Sequence, residues 1–200
     1  MDVAPALKRS KGIQDWFDQE LSSIKYPNTQ RNLLACACFD MALEHYKAIV
    51  QLINLRLTGS AFALARCVFE SYIRGAWLYL CASEKELEKY QKDTLRMKKM
   101  DLLIEDVERN EDFQSGVLSR AKSATWKDLN GFTHSGYQQL SRRFTGNVQS
   151  PQYDDQDIVL VIKHATALAF LSVHMVAQVA GNSELDGRLD QKAKDELGNF

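Results

Sequence analysis

The sequence predicts an all-α protein built on four principal long helices with shorter helical additions. Three observations carry this. Apolar residues in the long segments recur with a 3.6-residue period instead of alternating. Only three prolines and ten glycines interrupt 200 residues, and the breaks coincide with recognisable caps and turns. With 45% hydrophobic and 26% charged residues, the chain suits one substantial core and is short for two, so a single domain spans residues 1–200, its core at about 30–180.

The first helix is expected near residues 10–24. "YPNT" then supplies a break and an N-cap, and "QRNLLACACFDMALEHYKAIVQLINLRL" runs as one long second helix. Gly59 and Ser60 form the turn before a third helix over about 60–82. Ser83 followed by Glu86 is a capping box, opening a charged outer helix over roughly 84–110. A fifth helix begins near Gly116 and carries "VLSRAKSATWKDLN", "GFTHSG" is a kink or loop, "YQQLSRRF" a short sixth helix, and "TGNVQSPQY" the clearest loop. The last major helix, "DDQDIVLVIKHATALAFLSVHMVAQVA", opens with three aspartates at the positive end of its dipole and stops at Gly181 and Asn182. Its apolar run approaches membrane length. Lys163, His164, His174 and Gln178 would have to enter the bilayer, however, so it reads as a buried bundle helix, with no membrane partner. Residues 183–200 read as a polar, loosely docked tail.

A formal net charge of −1 removes any whole-protein electrostatic case for nucleic acid or anionic membrane and leaves only local patches. The N-terminal "MDVAPALKRSKGIQDWF" has no uninterrupted apolar stretch, so a cytoplasmic protein is expected. Cys36, Cys38, Cys67 and Cys81 lie on apolar helices without CxxC spacing and read as buried free thiols. HExxH, Gly-rich phosphate loops and the G-x-S-x-G elbow are missing, so neither a metal nor a nucleotide cofactor is implied.

The third helix carries "RCVFESYIRGAW", which sets Arg66, Glu70 and Arg74 on one stripe with Trp77 in an otherwise apolar circumference. Glu70 can pair with either arginine, which offsets the cost of holding ions in a partly buried groove. Two arginines to one glutamate leave a positive charge that a phosphate or carboxylate would complement. The same residues also suit a purely structural pairing.

The second informative stretch runs from Ser119 to Arg143. Arg120, Lys122, Lys127, Arg142 and Arg143 face a single acid, Asp128, with Trp126, Phe132 and Tyr137 interleaved. Basic and aromatic residues together suit single-stranded RNA. A solvated helix face explains the same composition. His134, in the polar turn "NGFTHSG", is the best-placed histidine for acid–base chemistry, whereas Lys163, His174 and Gln178 share a side of the last helix and could face the groove of Arg66.

The succession of "ALARCVFESYIRGAWLYL", a charged helix and "DLNGFTHSGYQQLSRR" resembles bacterial helical families related to HEPN domains, some of them found in phage-defence or toxin settings. The resemblance covers roughly residues 30–180, and its marks are Arg66 with Glu70 and the late turn ending in His134. HEPN ribonucleases share an Arg, a polar residue, four or five further residues and a His, often completed across a homodimer. The nearest match here is "KDLNGFTH", with Lys127 in the place of the Arg, Asp128 as the polar residue, and Gly131 a point where the helix could break before His134.

The resemblance implies a HEPN-like bundle and a homodimeric, metal-independent protein that binds or cleaves RNA. His134, Lys127, Arg66 and Glu70 would be catalytic, and Arg74, Arg120, Lys122, Asn130, Arg142 and Arg143 would bind substrate. The alternatives are a non-catalytic helical interaction module, or a sensor that takes an anionic small molecule into the Arg66, Glu70, Arg74 groove.

Overall fold

Each helix starts and stops where local chemistry directs it. In the computed structural model, which describes residues 2–198, α1 (Val3–Leu21) opens on Asp2, whose carboxylate accepts from the Ala4 N–H at 3.0 Å. It begins well before residue 10 because Pro5 lies in the first turn, where the donor it lacks would be unpaired anyway. In α2 (Gln30–Asn54) the Thr29 hydroxyl accepts from the Asn32 N–H, the cap that "YPNT" foretells.

The turn after α2 is not made by Gly59 and Ser60. Leu57 N–H donates to Leu52 O at 2.8 Å and Arg56 N–H to Ile53 O at 2.9 Å, with Arg56 itself left-handed at φ 60°. Gly59 lies within the first turn of α3 (Thr58–Leu80). It is needed there for close approach, since a Cβ would stand 2.6 Å from the Tyr153 hydroxyl and 2.9 Å from Gln139 Nε2, and would meet the Arg143 guanidinium as well.

The expected helix over 84–110 is two helices. The Ser83/Glu86 capping box forms as read, but α4 (Glu84–Gln91) ends early and α5 (Met100–Glu108) follows a break. Asp93 is left-handed at φ 53°, and the Thr94 N–H and hydroxyl both turn back to Lys89 O, at 2.9 and 3.2 Å. Such local side-chain bonding competes with helix propagation. Asp106 of α5 accepts from the Trp77 indole at 3.0 Å, Lys98 at 2.5 Å and Arg109 at 2.8 Å, which pins α5 to α3.

Helix α6 (Val117–Thr133) runs through Gly131 unbroken. A short α7 (Tyr137–Ser141) and an antiparallel hairpin, β1 (Phe144–Thr145) with β2 (Val148–Gln149), occupy the stretch read as helix and loop. Then α8 (Asp155–Ala180) ends at Gly181, left-handed at φ 64°. Residues 183–197 are no loose tail. They form α9 (Ser183–Leu197), with Leu185 and Leu189 one turn apart and buried against the bundle, and with ion pairs from Arg188 to Glu20 and from Glu196 to Arg9. Asn199 and Phe200, also read as tail, lie outside the described residues.

Helices α2 and α3 form an antiparallel pair that α8 crosses; α1 and α9 flank α8, while α5 and α6 cover α3. The fold is thus all-α apart from the small hairpin. Among the described residues one helix, α8, is long and apolar enough to cross a membrane, and its burial in the bundle is compatible with a soluble protein. Cys36 and Cys38 are buried and Cys67 and Cys81 half-buried; all four are free. Burial raises the Cys36 thiol to about 11, so it stays protonated at neutral pH.

The α2–α3 contact is closest at Gly75, where a Cβ would lie 2.6 Å from the Phe39 ring. That ring is fully buried and has no free space to yield into. Gly75→Ala is therefore expected to destabilise the fold by about 1–3 kcal/mol despite its better helix propensity. Urea denaturation checks this, and a variant as stable as wild type would show that the two helices can part locally.

Candidate functional site

The charged strip of α3 closes on itself. Arg66 Nε donates to Glu70 Oε1 at 2.6 Å and Arg74 donates to Glu70 Oε2 at 2.9 Å, so one carboxylate serves both guanidinium groups. Burial differs along the strip. Side-chain exposure is 16% for Glu70 and 20% for Arg66, but 40% for Arg74. Arg66 also stacks on Trp126 of α6, its central carbon 4.8 Å from the ring centroid.

His134 arrives at this strip through a designed-in turn at the end of α6. Its N–H donates to Asn130 O and the Gly136 N–H to Gly131 O, at 3.0 and 2.7 Å, with Ser135 left-handed at φ 52°. Ser135, and not a glycine, takes the left-handed position that lets the chain reverse at this helix end. A Cβ on Gly136 would lie 2.9 Å from Gly131 Cα, so Gly136 is required where two backbones meet, whereas a Cβ on Gly131 would meet the Gln138 side chain, Oε1 at 3.1 Å. Thr133 Oγ1 donates to Ala63 O at 3.1 Å and fastens the end of α6 to α3. His134, exposed, then places Nε2 2.5 Å from Arg66 Nη1. A guanidinium has no lone pair to offer, so Nε2 is the acceptor.

The remaining predicted residues divide. Lys127 is exposed on α6, two turns, or about 10 Å, before His134, and the cation that touches the imidazole is Arg66. Lys122 pairs with Asp101 at 2.6 Å and also lies over the Trp126 ring, 5.0 Å from its centroid. Arg120 sits near the start of α6, about 20 Å from its end, bonded to Ser115 O at 2.5 Å. Arg142 is spent on structure, donating to Asp157 and Gln138 O at 2.9 and 3.0 Å and covering Phe132, and Arg143 packs against Gly59. The Asn130 side-chain oxygen is buried without a partner. The basic stretch is therefore not one patch.

His174, Gln178 and Asp186 form a separate set between α8 and α9. His174 Nδ1 lies 2.5 Å from Asp186 Oδ1 and Nε2 lies 3.1 Å from the Gln178 amide, so these residues do not face Arg66 as expected. The sequence reading also passed over Trp126 as the surface that holds Arg66, and over His164, which stacks on Phe69 at 6.4 Å. Among the described residues, no three His, Cys, Asp or Glu side chains are grouped to hold a metal ion.

One family profile matches residues 39–196, from Phe39 of α2 to Glu196 of α9, and so contains both the charged strip and His134. The chain belongs to DUF6988, a family of unknown function. No curated protein and no solved structure matches the DUF6988 chain.

Two measurements test the electrostatics of this DUF6988 chain. Glu70→Ala leaves two half-buried guanidinium groups without their carboxylate, and is expected to cost about 2 kcal/mol, between the values for exposed and fully buried pairs. Chemical denaturation reads the loss, with Glu70→Gln as the near-isosteric control. Burial also lowers the His164 imidazole below its ordinary 6.5. Below that pH the unfolded chain takes up a proton that the folded chain still refuses, so stability falls as the medium is acidified until the folded imidazole titrates. Unfolding at about pH 7.5 and about pH 5.5 is expected to show this decline, and His164→Phe to remove its share; an unaltered pH dependence in that variant would place the cause elsewhere.

Proposed function

We propose that this chain is a HEPN-like, metal-independent RNA-binding and RNA-cleaving protein whose reacting groups are His134 and Arg66. The observation that carries this reading is the direct approach of an exposed imidazole to a guanidinium that Glu70 holds in place. An Arg beside a His is a donor–base pair suited to phosphodiester chemistry. A guanidinium has five N–H donors, and the contacts to Glu70 and His134 engage two of them. A phosphate can therefore bind Arg66 while Glu70 stays bonded, displacing the imidazole and freeing its Nε2 lone pair.

In the proposed reaction His134 removes the proton of a ribose 2′-hydroxyl, and the 2′-oxygen attacks the adjacent phosphorus. The P–O5′ bond breaks, the leaving oxygen takes a proton from water, and the hydroxide so formed takes the proton back from the His134 imidazolium. The products are a 2′,3′-cyclic phosphate and a 5′-hydroxyl. Arg66 carries the charge that develops on the phosphate, and Lys127 and Arg74 attract the strand as exposed or half-exposed cations. A cytoplasmic location belongs to the same reading.

A second copy of the chain is the proposed protein partner. Tyr137, Leu140, Phe144 and Val148 are large apolar side chains exposed in succession along α7 and the hairpin, the region that follows His134. A non-catalytic interaction module is the second reading, and the mutual pairing of Arg66 with Glu70 and His134, which needs no ligand, favours it.

The decisive comparison incubates RNA with wild type and His134→Ala in chelator and low salt. Wild type is expected to leave 2′,3′-cyclic phosphate ends, His134→Ala to cut about 100-fold more slowly or less, and its binding to remain near that of wild type. Equal cutting by the variant, or a wild type that neither binds nor cuts RNA, ends the ribonuclease reading in favour of the interaction module.

A further inference from the structure

A cavity of about 170 Å³ opens between α3, α6, α7 and α8. Ala124, Asp128 and Phe132 line it at four-residue spacing, on the side of α6 opposite Trp126, so it is separate from the Arg66 strip. Phe62, Leu129 and Phe132 give it apolar walls, and Phe62 meets Phe132 edge-on at 4.9 Å. Its outer lip is Leu160, a leucine left 63% exposed. An apolar cavity near 150 Å³ accommodates benzene, so about 170 Å³ suits one six-membered ring and not a fused pair. A ring seated there would meet two aromatic walls and cover the leucine from water.

The rim adds a sign. Asp128 and Asp157 line it against one cation, Arg142, which is already paired with Asp157 at 2.9 Å. Asp128 therefore carries the unbalanced charge. Its Oδ1 accepts from Gln138 Nε2 at 2.6 Å, while Oδ2 has no partner among the described residues and the side chain is exposed. The Thr125 hydroxyl proton goes to Ala121 O at 2.8 Å, which leaves Thr125 only acceptor capacity. Such a rim opposes a carboxylate or phosphate and favours a positively charged donor. A cation inside the apolar walls would lose its hydration at high cost, whereas at an exposed carboxylate it keeps water on its other sides. The ring belongs in the cavity and the charge at its mouth.

We propose that this cavity binds a monocyclic arylalkylamine, its ring against Phe62 and Phe132 and its ammonium on Asp128 Oδ2. A primary alkylamine is protonated at neutral pH, as lysine is. An aryl carboxylate of similar length would bring like charge to Asp128. An alkylamine without the ring would leave the cavity empty, and an indole has one ring too many. The proposal does not rest on the RNA reading, since neither Arg66 nor His134 lines the cavity.

Isothermal titration of the full chain with benzylamine, phenethylamine, 3-phenylpropionate, butylamine and tryptamine tests this, alongside Asp128→Asn. At least one of the two arylalkylamines is expected to bind wild type with a Kd of about 1 mM or below, and the other three ligands at least about tenfold more weakly. Asp128→Asn keeps an oxygen for Gln138 at an exposed position, and thermal melting confirms that it folds. It is expected to weaken the amine about fivefold, the upper range for an exposed ion pair, and to leave binding of phenethyl alcohol, the neutral counterpart, unchanged. The ligand series is read on wild type and decides the matter even if the variant fails to fold. Absence of binding by both arylalkylamines at about 10 mM, equal binding of 3-phenylpropionate, butylamine or tryptamine, or undiminished amine binding by folded Asp128→Asn would each overturn the proposal. Amine binding in a protein that cuts no RNA would leave the cavity standing and remove the catalytic reading; RNA cleavage with no amine bound would do the reverse.

Discussion

Helix α3 is covered by α2, α5, α6 and α8, so any charge it carries must be satisfied along one narrow strip. Arg66, Glu70 and Arg74 meet that demand within the helix itself, at four-residue spacing and with Glu70 in the middle. The consequence reaches beyond α3. A guanidinium held on its Nε side by Glu70 has its face and its outer nitrogens directed away from its own helix, and α6 is the element that receives them. Trp126 takes the face and His134 one nitrogen. Packing and chemistry therefore share a single side chain, and neither can be altered without the other.

The position of His134 depends just as strictly on backbone geometry. A helix end that reverses with a residue in the left-handed region, and with two glycines in contact across the turn, leaves little freedom for where the capping residue points. Thr133, bonded to α3 on one side of the turn, sets the height of the imidazole over the strip. Glycine is costly inside a helix, and at Gly131 the Gln138 side chain takes the space of the missing one, its Oε1 3.1 Å from where a Cβ would stand.

Much of the architecture was legible, for reasons that are local. Thr29 and the Ser83/Glu86 pair are capping chemistry, visible in a few consecutive residues, and the four-residue spacing of Arg66, Glu70 and Arg74 is a helical repeat. What escaped was non-local or concealed by residue type. Arg56 and Asp93 take left-handed conformations that suggest glycine or asparagine, so the turn was placed at Gly59 and the break after α4 was overlooked. Polar composition hid the two leucines that dock α9. Pairing of Arg66 with His134 joins residues 68 positions apart, and no pattern within either helix announces it. The basic stretch shows the opposite error, because composition counts charges without showing that Arg120 and Arg142 turn to different partners.

Arg66, and not the exposed Lys127, gives the strip its planar fork. Planar, rigid and with donors on three nitrogens, a guanidinium can hold a carboxylate with one edge and an imidazole or phosphate oxygen with another. An ammonium at the same place would be a single point charge on a flexible stem, unable to keep Glu70 and His134 at fixed distances together. The planar cation is supplied by α3, on a helix buried by its neighbours, and the imidazole by the end of α6. Because Leu129 and Phe132 of α6 also line the cavity between α3, α6 and α8, one helix borders both features. Any shift of α6 relative to α3 would move the His134 contact and the cavity wall together, which makes the α3–α6 seam the mechanical link between the two.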